Sequence, residues 1–178
     1  MKLEELYKDS GSNLPIFQIT VLTMYLGQLF LVKKHLNSAQ SVPGVNLVRV
    51  SNVDNFQGEE NDIIILFLVR NNDEGHIGFL KIENRVNVAL SRAKSALYVI
   101  GNADIVRRNS KYWNNVVSIF EESDALQDHL VLQCQNHKKT FSIVKEAKDF
   151  DKVGDGGCQE PCHYRLQCGH KCKRRWFV

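Results

Sequence analysis

Residues 53–69 read Val-Asp-Asn-Phe-Gln-Gly-Glu-Glu-Asn-Asp-Ile-Ile-Ile-Leu-Phe-Leu-Val, a polar loop that leads into the longest apolar run of the chain. The run does not alternate between polar and apolar residues, which is typical of a strand covered on both faces. It predicts a strand over 62–69. Three further β-branched and apolar segments predict strands over 16–23, 45–53 and 95–100.

Helical periodicity occurs between and after these strands. Apolar spacing predicts helices over 25–34 and 83–93, and the spacing of Trp113 and Val117 predicts a final helix docked on the sheet. Alternating strands and helices indicate a parallel, doubly wound α/β sheet. With 178 residues, 43% of them apolar, the chain is long enough for one domain and a small appendage.

The apolar run over 63–69 is far shorter than the roughly 20 residues that a membrane-spanning helix needs. The first eight residues, Met-Lys-Leu-Glu-Glu-Leu-Tyr-Lys, are too polar for a secretory signal. The sequence therefore predicts a protein of the cytoplasm or nucleus that has no membrane segment.

Charge and cysteine are concentrated towards the C-terminus. Residues 151–178 hold six Lys/Arg against three Asp/Glu, the rest of the chain holds 17 of each, and all five cysteines follow residue 130. Apolar periodicity fades after Leu132, and the Gly-rich stretch 154–157 has linker composition. We expect a folded domain over 1–130, a linker over 131–157 and a Cys/His-rich tail over 158–178.

The tail contains enough ligands for a metal site. Four thiols and an imidazole within 15 residues suit tetrahedral Zn²⁺, since thiolates and imidazoles at short spacing are its usual ligands. Free thiols are the alternative. A second half-site is formed by Cys134 and His137, but a single Cys-x2-His pair is weak evidence. The predicted zinc ligands are Cys158, Cys162, Cys168, His170 and Cys172.

The polar loop before the apolar run has the residue types of a nucleotide contact. Gly58 can take backbone angles that let a ligand approach the main chain. Gln57 can orient a phosphate oxygen or a water, and the carboxylate of Glu60 can accept both hydroxyls of a ribose. An ordinary surface turn explains the same residues.

Two arginines, Arg85 and Arg92, lie seven residues apart in the predicted helix over 83–93. This spacing of about two turns places both on the same side of the helix. Guanidinium groups suit phosphoryl transfer because their fork of donors neutralises spread oxyanion charge. The alternative is that both arginines solvate the outer face of the helix.

A series of short segments occurs in order along the chain: Thr23-Met-Tyr-Leu-Gly-Gln28, Val53 to Asp62 with Val69-Arg70, Gly78-Phe-Leu80, Arg85 to Ala93, and Gly101-Asn102. Together they resemble the second RecA-like domain (P-loop NTPase type) of superfamily 1 helicases of the Upf-like group. The resemblance covers roughly residues 3–122. The arrangement of the C-terminal cysteines is similar to the start of the finger array in NFX-type zinc-finger helicases.

This resemblance implies roles for individual residues. Tyr25 and Gln28 match the fourth helicase motif, near the nucleotide and the nucleic-acid track. The fifth motif, which contains the ribose contact and couples nucleotide to strand, is matched by Gln57, Gly58 and Glu60. Arg85 and Arg92 match the sixth motif, in which the second arginine is the finger on the γ-phosphate. We therefore expect both arginines to project towards the triphosphate and, with Gln57, to be catalytic.

The chain contains no Gly-x-x-x-x-Gly-Lys-Ser/Thr segment. The resemblance therefore implies ATP with Mg²⁺ shared with an N-terminal RecA-like domain in cis or in trans, single-stranded RNA or DNA as the track, and no ATP hydrolysis by this chain alone. The alternative is a non-catalytic, zinc-binding module for RNA or protein, including a ubiquitin-ligase type of finger, on an orphan RecA-like fold.

Overall fold

Four parallel strands form the main sheet of the protein. A computed structural model describes residues 18–41, 44–69, 75–133 and 139–153. In the sheet, β1 (Ile19–Thr23) lies between β2 (Arg49–Asn52) and β3 (Asn61–Phe67), and β4 (Ala93–Ile100) follows β3. Every neighbouring pair is parallel, which confirms the predicted α/β class.

Helices flank this sheet. Helix α1 (Leu26–Ser38) connects β1 to β2, and α2 (Glu83–Leu90) precedes β4. Two further helices, α3 (Ala103–Asn109) and α4 (Lys111–Glu122), follow β4. The amide of Ile105 donates to Asn102 Oδ1 at 3.1 Å, so that Asn102 caps the start of α3.

The core lies where one face of the sheet packs against the later helices. Leu22, Ile64 and Leu66 on the sheet and Val86 on α2 are fully buried. Trp113 on α4 is 1% exposed, and its indole Nε1 donates to the carbonyl of Leu80 at 2.9 Å. The docked final helix predicted from Trp113 is therefore present.

Some element boundaries differ from the predicted ones. The segment 45–47 is a 3₁₀ turn rather than the start of β2, because Gly44 has a φ of +85° and turns the chain just before it. Helix α1 extends to Ser38, beyond the predicted end at residue 34. Helix α2 ends at Leu90, whereas the periodicity predicted a helix to residue 93.

The chain divides into two compact units between Ile119 and Phe120. In the second unit, β5 (Leu130–Gln133) pairs antiparallel with β6 (Phe141–Val144), and a short helix α5 (Phe150–Val153) follows. Part of the stretch predicted as a linker thus has regular structure. The domain boundaries at 130 and 157 stay predictions.

The helices in the described ranges are all too short or too polar to span a membrane.

Candidate functional site

The loop over 53–60 runs from the carboxyl edge of the sheet, where the strands end, to the amino edge, where they begin. It must do so because β2 and β3 both run parallel to β1. At the carboxyl edge, the amide of Val53 donates to Thr23 O at 3.1 Å; at the amino edge, the amide of Asn61 donates to Arg92 O at 3.1 Å. Phe56, fully buried, fixes the middle of the loop to the core.

Gly58 lies in the second half of this loop with a φ of +82°, a conformation that side-chain-bearing residues rarely adopt. Gly58 thus takes backbone angles that favour glycine, and its close approach to a ligand stays a prediction. A Cβ at this position would meet no atom within 4 Å, so its main chain is open to an approaching ligand. The neighbouring side chains of Gln57 and Glu60 are exposed.

Arg92 lies beside this loop but not on the helix. The prediction that Arg85 and Arg92 share one side of a helix is wrong, because α2 ends at Leu90. The hydroxyl of Ser91 and Nε of Arg92 both donate to the carbonyl of Val88, at 3.2 and 3.0 Å. These bonds satisfy a carbonyl at the helix end and turn the chain towards β4.

The guanidinium of Arg92 is oriented by two further contacts. Its Nη1 donates to the main-chain carbonyl of Glu59 at 3.3 Å, and its Nη2 donates to Ser91 Oγ at 3.0 Å. Within the described part of the chain, these bonds leave one N–H on each terminal nitrogen for a ligand. Arg92 and the segment over 57–60 therefore form one cluster at the amino edge.

Glu59 also contacts a cation from β2, the strand on the other side of β1. Arg49, the first residue of β2, forms a two-pronged ion pair with the Glu59 carboxylate, with Nη2 and Oε1 2.8 Å apart. Its guanidinium carbon lies 5.1 Å from the centre of the Phe56 ring. The hydrogen bond from Arg49 lowers the pKa of Glu59 below its ordinary value, and the same bond raises the pKa of Arg49.

Arg85 belongs to a second cluster, at the carboxyl edge. Its Nε lies 2.8 Å from Asp54 Oδ1, and its guanidinium lies 4.6 Å from the centre of the Phe79 ring. The ring of Tyr25 packs on the same Phe79, with centroids 5.4 Å apart. The hydroxyl of Tyr25 donates to Ile77 O at 3.0 Å and accepts from the amide of Phe79 at 3.1 Å.

The two clusters lie at opposite edges of the sheet. Strand β3 separates them, and its seven residues span about 20 Å. The sequence predicted the whole loop over 54–60 at the carboxyl ends of the strands. This is wrong for Gln57, Gly58 and Glu60, because only the start of the loop lies there.

Gln28 lies in the first turn of α1, just after the carboxyl end of β1, and is half-buried.

Sequence reasoning missed Arg49 and Phe79 as members of these clusters. Arg49 contacts Glu59 only because β2 lies on one side of β1 and β3 on the other, and no spacing along the chain reveals that strand order. Phe79 belongs to Gly78-Phe-Leu80, one of the segments that resemble the helicase family. The sequence therefore indicated that this position matters, but not that its ring contacts Tyr25 and Arg85.

The predicted zinc ligands Cys158, Cys162, Cys168, His170 and Cys172 lie outside the described residues, as do Cys134 and His137. Among the residues with described positions, no group of three His, Cys, Asp or Glu side chains is placed to hold a metal ion.

The amino-edge cluster has the donors and acceptors of one side of a nucleotide site. The two open N–H groups of Arg92 suit a phosphate, and the exposed carboxylate of Glu60 suits ribose hydroxyls. The open main chain at Gly58 allows close approach. The sequence contains no Gly-x-x-x-x-Gly-Lys-Ser/Thr segment, the motif that would form the other side.

Comparison with known families gives a match over most of the first compact unit. A family profile described as an AAA domain matches residues 1–104. This range includes the whole of the amino-edge cluster and the whole of the carboxyl-edge cluster.

Individual proteins match over a longer range. The chain is 50% identical over 157 residues to the human NFX1-type zinc finger-containing protein 1, covering 88% of this chain and 8% of that protein. It is 38% identical over 162 residues to the homologue from Caenorhabditis elegans, covering 88% of this chain and 7% of that protein. The ATP-dependent helicase NAM7 of Saccharomyces cerevisiae is 33% identical over 170 residues, which cover 85% of this chain and 17% of that protein. The chain thus spans a small fraction of these relatives.

Proposed function

Because the chain belongs to the AAA domain family, as the C-terminal region of superfamily 1 Upf-like helicases, we propose that it is the second motor domain of an ATP-dependent helicase. In this role it supplies one side of an ATP site and part of a single-stranded RNA or DNA track. An N-terminal RecA-like domain, in cis or in trans, supplies the phosphate-binding loop.

One observation carries this proposal: Arg92 contacts the main chain of Glu59, directly next to Glu60. Arg92, the proposed phosphate-binding group, is thus bonded to the residue directly before Glu60, the proposed ribose-binding group. ATP has the same two features, a charged triphosphate and a ribose with two hydroxyls. The names of two relatives from Saccharomyces cerevisiae, ATP-dependent helicase NAM7 and Putative ATP-dependent RNA helicase ECM32, agree with this ligand.

Each residue of the amino edge has a distinct task in the proposed mechanism. Glu60 accepts hydrogen bonds from the ribose hydroxyls and fixes the nucleotide. Arg92 directs its open N–H groups at the γ-phosphate and stabilises the charge that develops there during hydrolysis. Gln57 orients the attacking water or a phosphate oxygen. Mg²⁺ would be held by residues of the companion domain, and it would supply further charge neutralisation at the phosphates.

The carboxyl-edge cluster is assigned to nucleic acid in the same proposal. Tyr25 and Phe79 present aromatic surface, and single-stranded binding relies on such surfaces together with phosphate-neutralising charge. Arg85 and Gln28 add a cation and an amide on this edge. The loop over 53–60 touches both edges, so it is suited to couple the nucleotide to the strand.

The test mixes this chain with the phosphate-loop domain of the same helicase and measures ATP hydrolysis with and without single-stranded RNA. We expect strand-stimulated hydrolysis by the mixture and none by this chain alone. Arg92→Ala should lower kcat by about 10³-fold, the size of an arginine-finger effect. Arg108→Ala, which removes an exposed arginine of α3, is the matched control. Equal kcat in the two variants would show that Arg92 is not the finger.

Zinc binding by the tail is a separate part of the proposal. It rests on the five clustered ligands and on the zinc-finger designation of several relatives. Native mass spectrometry of the intact chain should show bound Zn²⁺ that is lost in Cys162→Ser. The same zinc content in both proteins would remove Cys162 from the site. Cysteines available as zinc ligands must stay unoxidised, which a reducing compartment favours, so this part of the proposal agrees with the cytoplasm or nucleus as the proposed location.

A further inference from the structure

Arg49 reaches the amino-edge cluster from two strands away. It is the first residue of β2, in register with Thr20 of β1, while Glu59 stands two residues before β3 on the other side of β1. Its guanidinium meets the Glu59 carboxylate with both terminal nitrogens and lies over the Phe56 ring. A two-pronged pair of this kind fixes orientation as well as distance, because both groups are planar.

Glu59 is consequently held at two points. Arg49 binds its carboxylate, and Arg92 binds its main-chain carbonyl. The residues on either side are less restrained: Gly58 has open space around it, and the side chain of Glu60 is exposed. Glu60 follows Glu59 directly, and the backbone has only two soft dihedrals per residue. Holding Glu59 therefore restricts the directions in which Glu60 can present its carboxylate.

The pair adds little to the stability of the fold. The side chains of Arg49 and Glu59 are 50% and 43% exposed, and exposed ion pairs are screened by solvent. A glutamate is ionised at neutral pH even at its ordinary pKa, and Arg49 lowers the pKa of Glu59 further, so both partners of the ion pair are charged at neutral pH. The contact therefore adds little to stability, but it lies next to Glu60, the proposed ribose contact. It is better suited to positioning the loop than to stabilising the fold.

We propose that Arg49 is a positioning residue for the nucleotide: through Glu59 it holds the loop so that Glu60 presents its carboxylate to the ribose hydroxyls. This role rests on the proposed ATP site. It assigns no direct contact between Arg49 and the nucleotide. Loss of Arg49 therefore weakens nucleotide binding but leaves the chemistry at the γ-phosphate intact, because Arg92 keeps its hydrogen bonds to Val88 and Ser91.

The test uses the chain assembled with its phosphate-loop domain and separates KM from kcat. Arg49→Ala should raise the KM for ATP by about tenfold, the size expected when one hydrogen bond to a charged group is lost, with kcat within about twofold of wild type. The ribose analogue 2′,3′-dideoxy-ATP lacks both hydroxyls that Glu60 would bind. With this analogue, the wild type and Arg49→Ala should have the same KM.

A charge exchange serves as the second variant. In the double variant Arg49→Glu with Glu59→Arg, the ion pair is restored in the opposite orientation, so the KM for ATP should return towards the wild-type value. Thermal melting of each variant shows whether it is folded. An unchanged KM in Arg49→Ala, a tenfold rise that persists with the dideoxy analogue, or a folded double variant without rescue would each overturn the role of Arg49. A wild-type assembly without ATP hydrolysis would instead overturn the proposed ATP site, and this role with it.

Discussion

Arg92 and Glu59 are joined by a hydrogen bond from the Nη1 of the arginine to the main-chain carbonyl of the glutamate, 3.3 Å away. The contact orients the guanidinium before any ligand arrives, because Val88 and Ser91 accept from its other nitrogens. A side chain held in this way loses less entropy on meeting a phosphate. The relation between these two residues therefore joins the arginine proposed as catalytic to the loop proposed to contact the ribose.

Gly58→Ala should destabilise the protein even though the new methyl group meets no neighbour. The φ of +82° places an L residue in the left-handed region, at a cost of about 1–2 kcal/mol. Urea denaturation measures this change. Gly27→Ala in α1 is the control, since its Cβ also meets nothing within 4 Å but its backbone is helical. We expect the control to be neutral or slightly stabilising, and equal losses in both variants would contradict the conformational explanation.

Trp113 should be the residue of α4 on which stability depends most. Trp113→Ala removes a fully packed side chain and should cost about 3–5 kcal/mol of unfolding free energy. Trp113→Phe keeps an aromatic ring but leaves the buried carbonyl of Leu80 without its donor, which should cost about 1–3 kcal/mol.

Phe30→Ala on α1 is the control for Trp113, because the Phe30 side chain is 66% exposed and its loss should stay within about 0.5 kcal/mol. Chemical denaturation of the three variants measures how much unfolding free energy each one loses. A Trp113→Ala loss as small as that of Phe30→Ala would show that α4 is not docked on the core.

The carboxylate of Asp128 should titrate at an unusually low pH. Its hydrogen bond with His129, and next the one from Lys145, lower its pKa from an ordinary 3.8 to about 2. A lowered pKa in the folded state means that the contribution of Asp128 to stability is present above pH 3.8 and is lost as the pH falls through about 2. Carbon NMR titration of the carboxyl group measures this pKa directly.

His129→Ala should raise the pKa of Asp128 most, and Lys145→Ala should raise it by less, following the order of the two causes. Lys148→Ala is the control in the same unit, since Lys148 pairs with Glu146 instead. A titration of Asp128 near pH 4 in the unchanged protein would mean that the contacts of His129 and Lys145 do not form in solution.

The sheet could be predicted from the pattern of apolar runs, whereas the arrangement of the site could not be predicted from the sequence. Apolar runs such as the one over 63–69 predicted buried parallel strands, since both faces of such strands must be covered. The ends of α2 and β2 were predicted less well because capping by Ser91 and the turn at Gly44 override the apolar periodicity. The contact of Arg49 with Glu59 depends on the strand order, which local sequence does not encode.

Arg85 and Arg92 should have separable effects, because they lie in clusters at opposite edges of the sheet. The contacts of Arg85 with Asp54 and the Phe79 ring hold it at the carboxyl edge, which is proposed to bind nucleic acid. Arg85→Ala should therefore weaken single-stranded RNA binding by several-fold and leave the KM for ATP close to wild type. Arg92→Ala should lower kcat and leave RNA affinity nearly unchanged. Fluorescence anisotropy with a labelled oligonucleotide, and ATP hydrolysis by the two-domain assembly, measure the two quantities on the same preparations. If Arg85→Ala lowered kcat as much as Arg92→Ala with no loss of RNA affinity, both arginines would act on the nucleotide, and the division of the site between two edges would be wrong.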